Sequence, residues 1–222
     1  MKSYKSLINS LLVCLILIGV GCKSESERDR EVFYLPYYED ASFTPVWLDP
    51  NQDDLSSFHK IPPFQLLNQE GDTLTEKAFE GKIYVTDFFF TSCPGICRKM
   101  TSNMTLLQEE FEADEDILLL SHSVTPSMDS VPVLKRYAAY YDINPKKWHL
   151  ATGDKQLIYT LGRQYYFVEE DQGLARNEEA FLHTENFVLI DSNRHIRGIY
   201  NGLNKAAIQQ LIADIHTLKA ES

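Results

Sequence analysis

A chain of 222 residues, 44% hydrophobic and 12% aromatic, has the apolar mass for one ordinary domain with a true core and some additional sequence. Its formal charge of −11 becomes −13 once a leader carrying Lys2 and Lys5 is removed, leaving 19 basic against 32 acidic residues. That balance argues against nucleic acid as a partner and suits a basic protein surface.

Residues 1–21 read as a secretory signal, with Lys2 and Lys5 as the positive end and Leu11 to Val20 as an apolar core too short for a comfortable membrane span. Gly19-Val20-Gly21-Cys22 resembles a bacterial lipobox, with Gly19 where Leu is usual. Cys22 is therefore expected to become the lipid-bearing first residue; the alternative is a plain signal in which Cys22 is incidental. The expected location is the bacterial cell envelope, as a membrane-anchored lipoprotein facing the periplasm. Residues 22–57 hold a polar tether, KSESERDRE, and an aromatic, proline-rich strap, VFYLPYYEDASFTPVWLDP, expected to pack on the domain, with a partner-binding surface as the alternative.

The domain proper is expected over 58–222. Phe64 to Leu67 and Thr73 to Leu74 flank a turn and predict a hairpin, and Glu76 to Glu80 a short helical turn. Ile83 to Phe90 is too rich in apolar and aromatic residues for a half-exposed strand and reads as a central strand covered on both faces. An amphipathic helix follows, with Ile96, Met100, Met104, Leu107 and Phe111 on one side. Ile117 to Val124 predicts a second buried strand. Pro132 opens a helix with Val133, Leu134, Tyr137 and Tyr141 on one face. Trp148 to Ala151 predicts a strand, Asp154 to Gly162 a helix, and Phe187 to Asp191 with Ile196 to Tyr200 a hairpin. Asn204 caps a last helix carrying Ile208, Leu211, Ile215 and Leu218. This order fits an α/β thioredoxin-like fold, a mixed central sheet with helices on both faces.

The chemistry gathers where the central strand turns into its helix, at Thr91-Ser92-Cys93-Pro94-Gly95-Ile96-Cys97. Pro94 keeps Cys93 out of the helical region and suits a first helical position, so Cys93 is expected as the N-cap and Pro94 as the first residue of the helix. Helical residues four apart carry Cβ atoms about 5–6 Å apart, whereas a disulfide wants about 3.5–4.5 Å. The spacing suits a metal clamp somewhat better than a dithiol catalyst, and a small shift at Cys93 permits both. With Cys14 removed and Cys22 lipidated, Cys93 and Cys97 are the two usable thiols of an exported protein, too few for a disulfide scaffold.

A third ligand would come from six histidines. His216 in the last helix and His195 in the hairpin turn are expected at the surface, and His149 as a partly buried strand residue. His183 precedes the strand that, in such a sheet, enters beside the cysteine helix. Thiol oxidoreductases of this fold place a cis-proline there, but Pro145 is the last proline of this chain. Two thiolates and an imidazole suit Cu(I) and can also hold Cu(II) or Zn(II).

FFFTSCPGICRKMT, HSVTPSMDSVPVLKRYAAYY, WHLATGD and FLHTENFVLID, in this order over roughly residues 58–219, resemble the Sco/SenC family of copper-binding thioredoxin-fold proteins. The resemblance implies copper binding by Cys93, Cys97 and His183. It also implies copper delivery to, or thiol reduction at, the dinuclear copper site of cytochrome c oxidase, whose copper-bearing subunit or another copper-handling protein would be the partner. Gly95 stands where many members carry an acidic residue. His122 departs too, with strand-end packing expected of it before any auxiliary ligand role; Asp129 matches the family's loop aspartate and is expected to cap the next helix. Three functions compete: a copper metallochaperone, a thiol-disulfide oxidoreductase cycling a Cys93–Cys97 disulfide, and a peroxide-scavenging thiol protein.

Overall fold

The computed structural model describes residues 34–169, 182 and 184–221. The expected signal, Cys22, the tether and His183 lie outside the described residues. Among the described residues no helix is long and apolar enough to cross a membrane.

The predicted hairpin forms as β1 (Gln65–Leu67) and β2 (Thr73–Thr75), followed by a 3-10 turn over Glu76–Phe79. Next come β3 (Ile83–Phe89), α1 (Ile96–Glu110), β4 (Ile117–Ser123), α2 (Val131–Tyr140), β5 (Trp148–Ala151) and α3 (Lys155–Thr160). A π-helical turn at Leu161–Tyr165 extends α3. The chain closes with β6 (Asn186–Ile190), β7 (Ile196–Asn201) and α4 (Lys205–Ala220). Five strands make a mixed sheet in the order β5-β4-β3-β6-β7, with β3 parallel to β4 and antiparallel to β6.

All seven residues of β3 are buried, because the strand is central and both faces are covered. Its pleat deals alternate side chains to two cores. Ile83, Val85 and Phe89 join Met100, Met104 and Leu107 of α1, Leu134 of α2, and Ile208, Leu211 and Ile215 of α4. Tyr84 and Phe88 join Leu66 and Leu74 of the hairpin and Ile158 of α3. The fourfold spacing of apolar residues along α1 is thus satisfied by one sheet face, and each fully buried aliphatic side chain contributes about 1.5–3 kcal/mol. Caps fix where helices begin: Asp154 accepts from the Leu157 amide at 2.7 Å, and Asn204 from the Ala206 amide at 2.9 Å.

The first described residues of the strap pack against β7. Tyr38 bridges Ile196 at the free edge of β7, and Tyr37 is buried. Arg197 holds it from below, donating to the Leu35 carbonyl at 2.6 Å and the Pro36 carbonyl at 3.2 Å, with its guanidinium 4.0 Å from the Tyr37 ring centroid. Glu221 and Asp191 pair with Arg197 at 2.7 and 3.4 Å, and Glu221 also takes the Leu35 amide. His195, expected at the surface, is buried beside Asp191, edge-on to Tyr37 and Phe58. The strap covers a hairpin end that would otherwise face solvent.

Truncating one partner of a buried ion pair leaves an uncompensated charge, a loss of about 3–5 kcal/mol. Arg197→Met is expected to destabilise by that amount in urea unfolding. A loss below about 1 kcal/mol would show that the strap network contributes little.

Candidate metal centre

Central strand β3 ends at Phe89, and the chain turns through Phe90 to Gly95 before α1 begins at Ile96. The N-cap is Gly95, not Cys93, and Pro94 lies in the turn, so the helix starts two residues later than expected. The Gly95 and Cys97 amides lie close enough to the Cys93 sulfur to favour its thiolate. Cys97 becomes the second helical residue, close enough for the two thiols to hydrogen-bond each other.

Both thiols are free and buried. At Cys93 burial disfavours the thiolate. The bond from Cys97, the two amides and the Arg98 charge outweigh it, holding this thiol below the ordinary range. At Cys97 burial, the hydrogen bond it makes to Cys93 and the nearby Asp87 carboxyl push the thiol up. One sulfur is prepared as an acceptor and the other keeps its proton.

The turn is tied to the neighbouring loop by Asp129, which is buried. Its carboxylate accepts from the Thr91 hydroxyl at 2.5 Å, the Thr91 amide at 3.2 Å, the Ser123 hydroxyl at 2.6 Å and the Thr125 hydroxyl at 3.0 Å. Asp129 therefore does not cap α2, whose N-cap is Ser130. Its four donors lie on the ends of β3 and β4 and satisfy the carboxylate before the helix begins.

Asp87 was not singled out by the sequence reading, although a carboxylate inside IYVTDFF is the signal that could have found it. It lies between Val85 and Phe89, on the sheet face that carries the thiols. Ser121 donates to it, and Trp148 Nε1 donates to Ser121 at 2.8 Å. Burial pushes its carboxyl up to about 7, against the pull of the Ser121 hydroxyl.

The other histidines do not converge on the thiols. His122 lies within β4, on the opposite face of the sheet, stacked on Phe88 at 4.6 Å and bonded through Nδ1 to Thr86 at 3.1 Å. It is a core residue, which removes the auxiliary-ligand role. His59 bonds the Tyr165 carbonyl, His149 is half-buried in β5, and His216 is exposed near Glu110. Among the described residues no three His, Cys, Asp or Glu side chains gather to hold a metal.

A reduced thiol pair at the strand-to-helix turn of a mixed α/β sheet defines a thioredoxin-like dithiol protein. A sequence model described as SCO1/SenC matches residues 49–220, and the chain belongs to that family. It is 29% identical over 161 residues to the SCO1 protein homolog of Bacillus subtilis, covering 71% of this chain and 81% of that one. A SCO1/SenC family lipoprotein from Bacillus anthracis superposes with a TM-score of 0.63 at 28% identity, over 72% of this chain and 95% of that one. BsSco, described as a cytochrome c oxidase assembly protein with a disulfide switch, gives 0.60 at 28% identity over 72% and 93%.

Asp87 makes a pH prediction. Its carboxyl titrates near 3.8 unfolded and about 7 folded, so the folded state holds the extra proton between those values. The stability this contributes is complete below pH 4 and is lost as pH rises through 7, a span of roughly 4 kcal/mol at most. Asp87→Asn should remove that loss, raising its urea midpoint relative to the unsubstituted protein between pH 5 and 8. Parallel pH curves for the two proteins would show that Asp87 does not hold the proton.

Proposed function

We propose that this protein is a copper metallochaperone of the cell envelope that assists assembly of the copper centre of cytochrome c oxidase. The observation that carries the reading is the pair of buried, unbridged thiols that neighbour each other at the turn after β3. Two soft sulfur donors on a prepared turn fit Cu(I), and the copper is cargo to be given away. Cys93 accepts the ion first because its thiol is the more acidic, and Cys97 gives up its proton as the metal replaces it.

His183 is proposed as the third ligand. The antiparallel register of β3 with β6 pairs Thr86 with Val188. β6 begins at Asn186, at the same end of the sheet at which β3 runs into the cysteine turn, and His183 lies three residues before it in sequence. Thr184 and Asn186 both bond the Val168 carbonyl, at 2.6 and 3.0 Å, so the approach to β6 is anchored. Lipidation at Cys22 would keep the chaperone at the membrane where an oxidase subunit is assembled.

The split acidity of the two thiols favours one alternative, a thiol-disulfide oxidoreductase with Cys93 attacking and Cys97 resolving. Metal content after anaerobic copper loading separates the two: stoichiometric copper with slow disulfide exchange supports the chaperone.

Cys93→Ser and Cys97→Ser are each expected to abolish tight copper binding while circular dichroism stays unchanged. Tight binding retained in both would overturn the clamp. His183→Ala should weaken Cu(II), which favours imidazole nitrogen, far more than Cu(I). An unchanged Cu(II) thiolate charge-transfer band in that variant would remove His183 from the ligand set.

A further inference from the structure

We infer that Asp129 is a positioning residue for the thiol pair: through Thr91 it holds the cysteine turn in the dithiol, metal-ready geometry and opposes the disulfide. This deepens the chaperone reading and rests on it for the copper arm of its test.

The turn is fixed at both ends. At its start, Thr91 gives both its amide and its hydroxyl to the Asp129 carboxylate, two residues before Cys93. The same carboxylate is held from the other side by Ser123 and Thr125, and the Thr125 carbonyl accepts the Asp129 amide at 2.9 Å. Val124 donates to the Phe89 carbonyl at 2.9 Å, so the two strand ends cannot slide apart. At its finish, α1 is seated by fully buried Met100 and Met104 and by Asn103, whose amide bonds the Gly202 carbonyl at 2.6 Å. Only Ser92, Cys93, Pro94 and Gly95 lie between Thr91 and the helix, and Pro94 has little backbone freedom.

A four-residue link between two seated ends sets where the Cys93 sulfur stands. Forming a disulfide brings the sulfurs to about 2.05 Å, and two residues on a helix start must approach to do so. The movement has to come from the short link, and its N-terminal anchor is the Asp129–Thr91 contact. Loosening that anchor lowers the cost of the disulfide and spreads the dithiol over more arrangements, which weakens metal capture. Met128, the residue before Asp129, is largely exposed, so the anchor belongs to a surface loop.

The test uses the full chain with Thr91→Val, which deletes one hydroxyl, Thr91→Ser, which keeps it, and Asp129→Asn. Each is equilibrated in dithiothreitol redox buffers, where two thiols pass two electrons and two protons to the reagent's disulfide and form one S–S bond. Alkylation and mass spectrometry then count free thiols, and Cu(I) affinity is read by chelator competition. Thr91→Val and Asp129→Asn should shift the equilibrium about tenfold towards the disulfide, roughly 30 mV. They should also weaken Cu(I) about tenfold, and Thr91→Ser should restore both values. Unchanged constants in Thr91→Val, or a Thr91→Ser shift as large as that of Thr91→Val, would overturn the inference. If the unsubstituted chain takes no Cu(I), the chaperone reading fails, and the thiol count alone decides the role of Asp129.

Discussion

Where β3 stops decides the rest of the site. The strand is buried on both faces; it pairs with β4 along its whole length and with β6 over residues 84–86, and after Phe89 the chain turns. Pro94 then removes one amide and restricts Cys93, while the amides of Gly95 and Cys97 still need acceptors. The sulfur of Cys93 lies near both, beside Cys97 at the start of α1. A helix beginning at Pro94 would have left Cys93 at its cap and Cys97 a full turn away; the later start makes the thiols neighbours.

Much of this was legible in the sequence because it rests on periodicity. The apolar and aromatic richness of Ile83 to Phe89, the fourfold spacing in α1 and the Asn204 cap each encode an element locally, and each element forms. The thiol pair was legible from its spacing and from Pro94. What escaped depends on tertiary placement. His195 sits in a hairpin turn, a surface position by local rules, yet the strap and Arg197 bury it. Asp129 precedes a helix and reads as a cap, but a buried carboxylate takes the donors nearest in space, and those belong to Thr91, Ser123 and Thr125. His122 could be assigned only once the pleat of β4 set it on the face away from the cysteines.

The two faces of the sheet have different work. One carries the thiols, the Asp87–Ser121–Trp148 chain and the packing of α1 and α4, and it is the face where chemistry can occur. The other holds neutral aromatic side chains, with Tyr84 and Tyr166 bonded at 3.0 Å and His122 among them. Burial pushes His122 down to about 3, so it stays uncharged in the core, and its place on this face, stacked on Phe88, keeps it away from the thiols.

The central claim is that copper is held by the two thiols of the β3–α1 turn. X-ray absorption at the copper edge of the Cu(I)-loaded full chain tests it most directly. One copper per chain with two sulfur neighbours and one imidazole nitrogen is expected, and that copper should be lost when either cysteine is replaced. A copper shell without sulfur, or a sulfur count indifferent to Cys93 and Cys97, would contradict it.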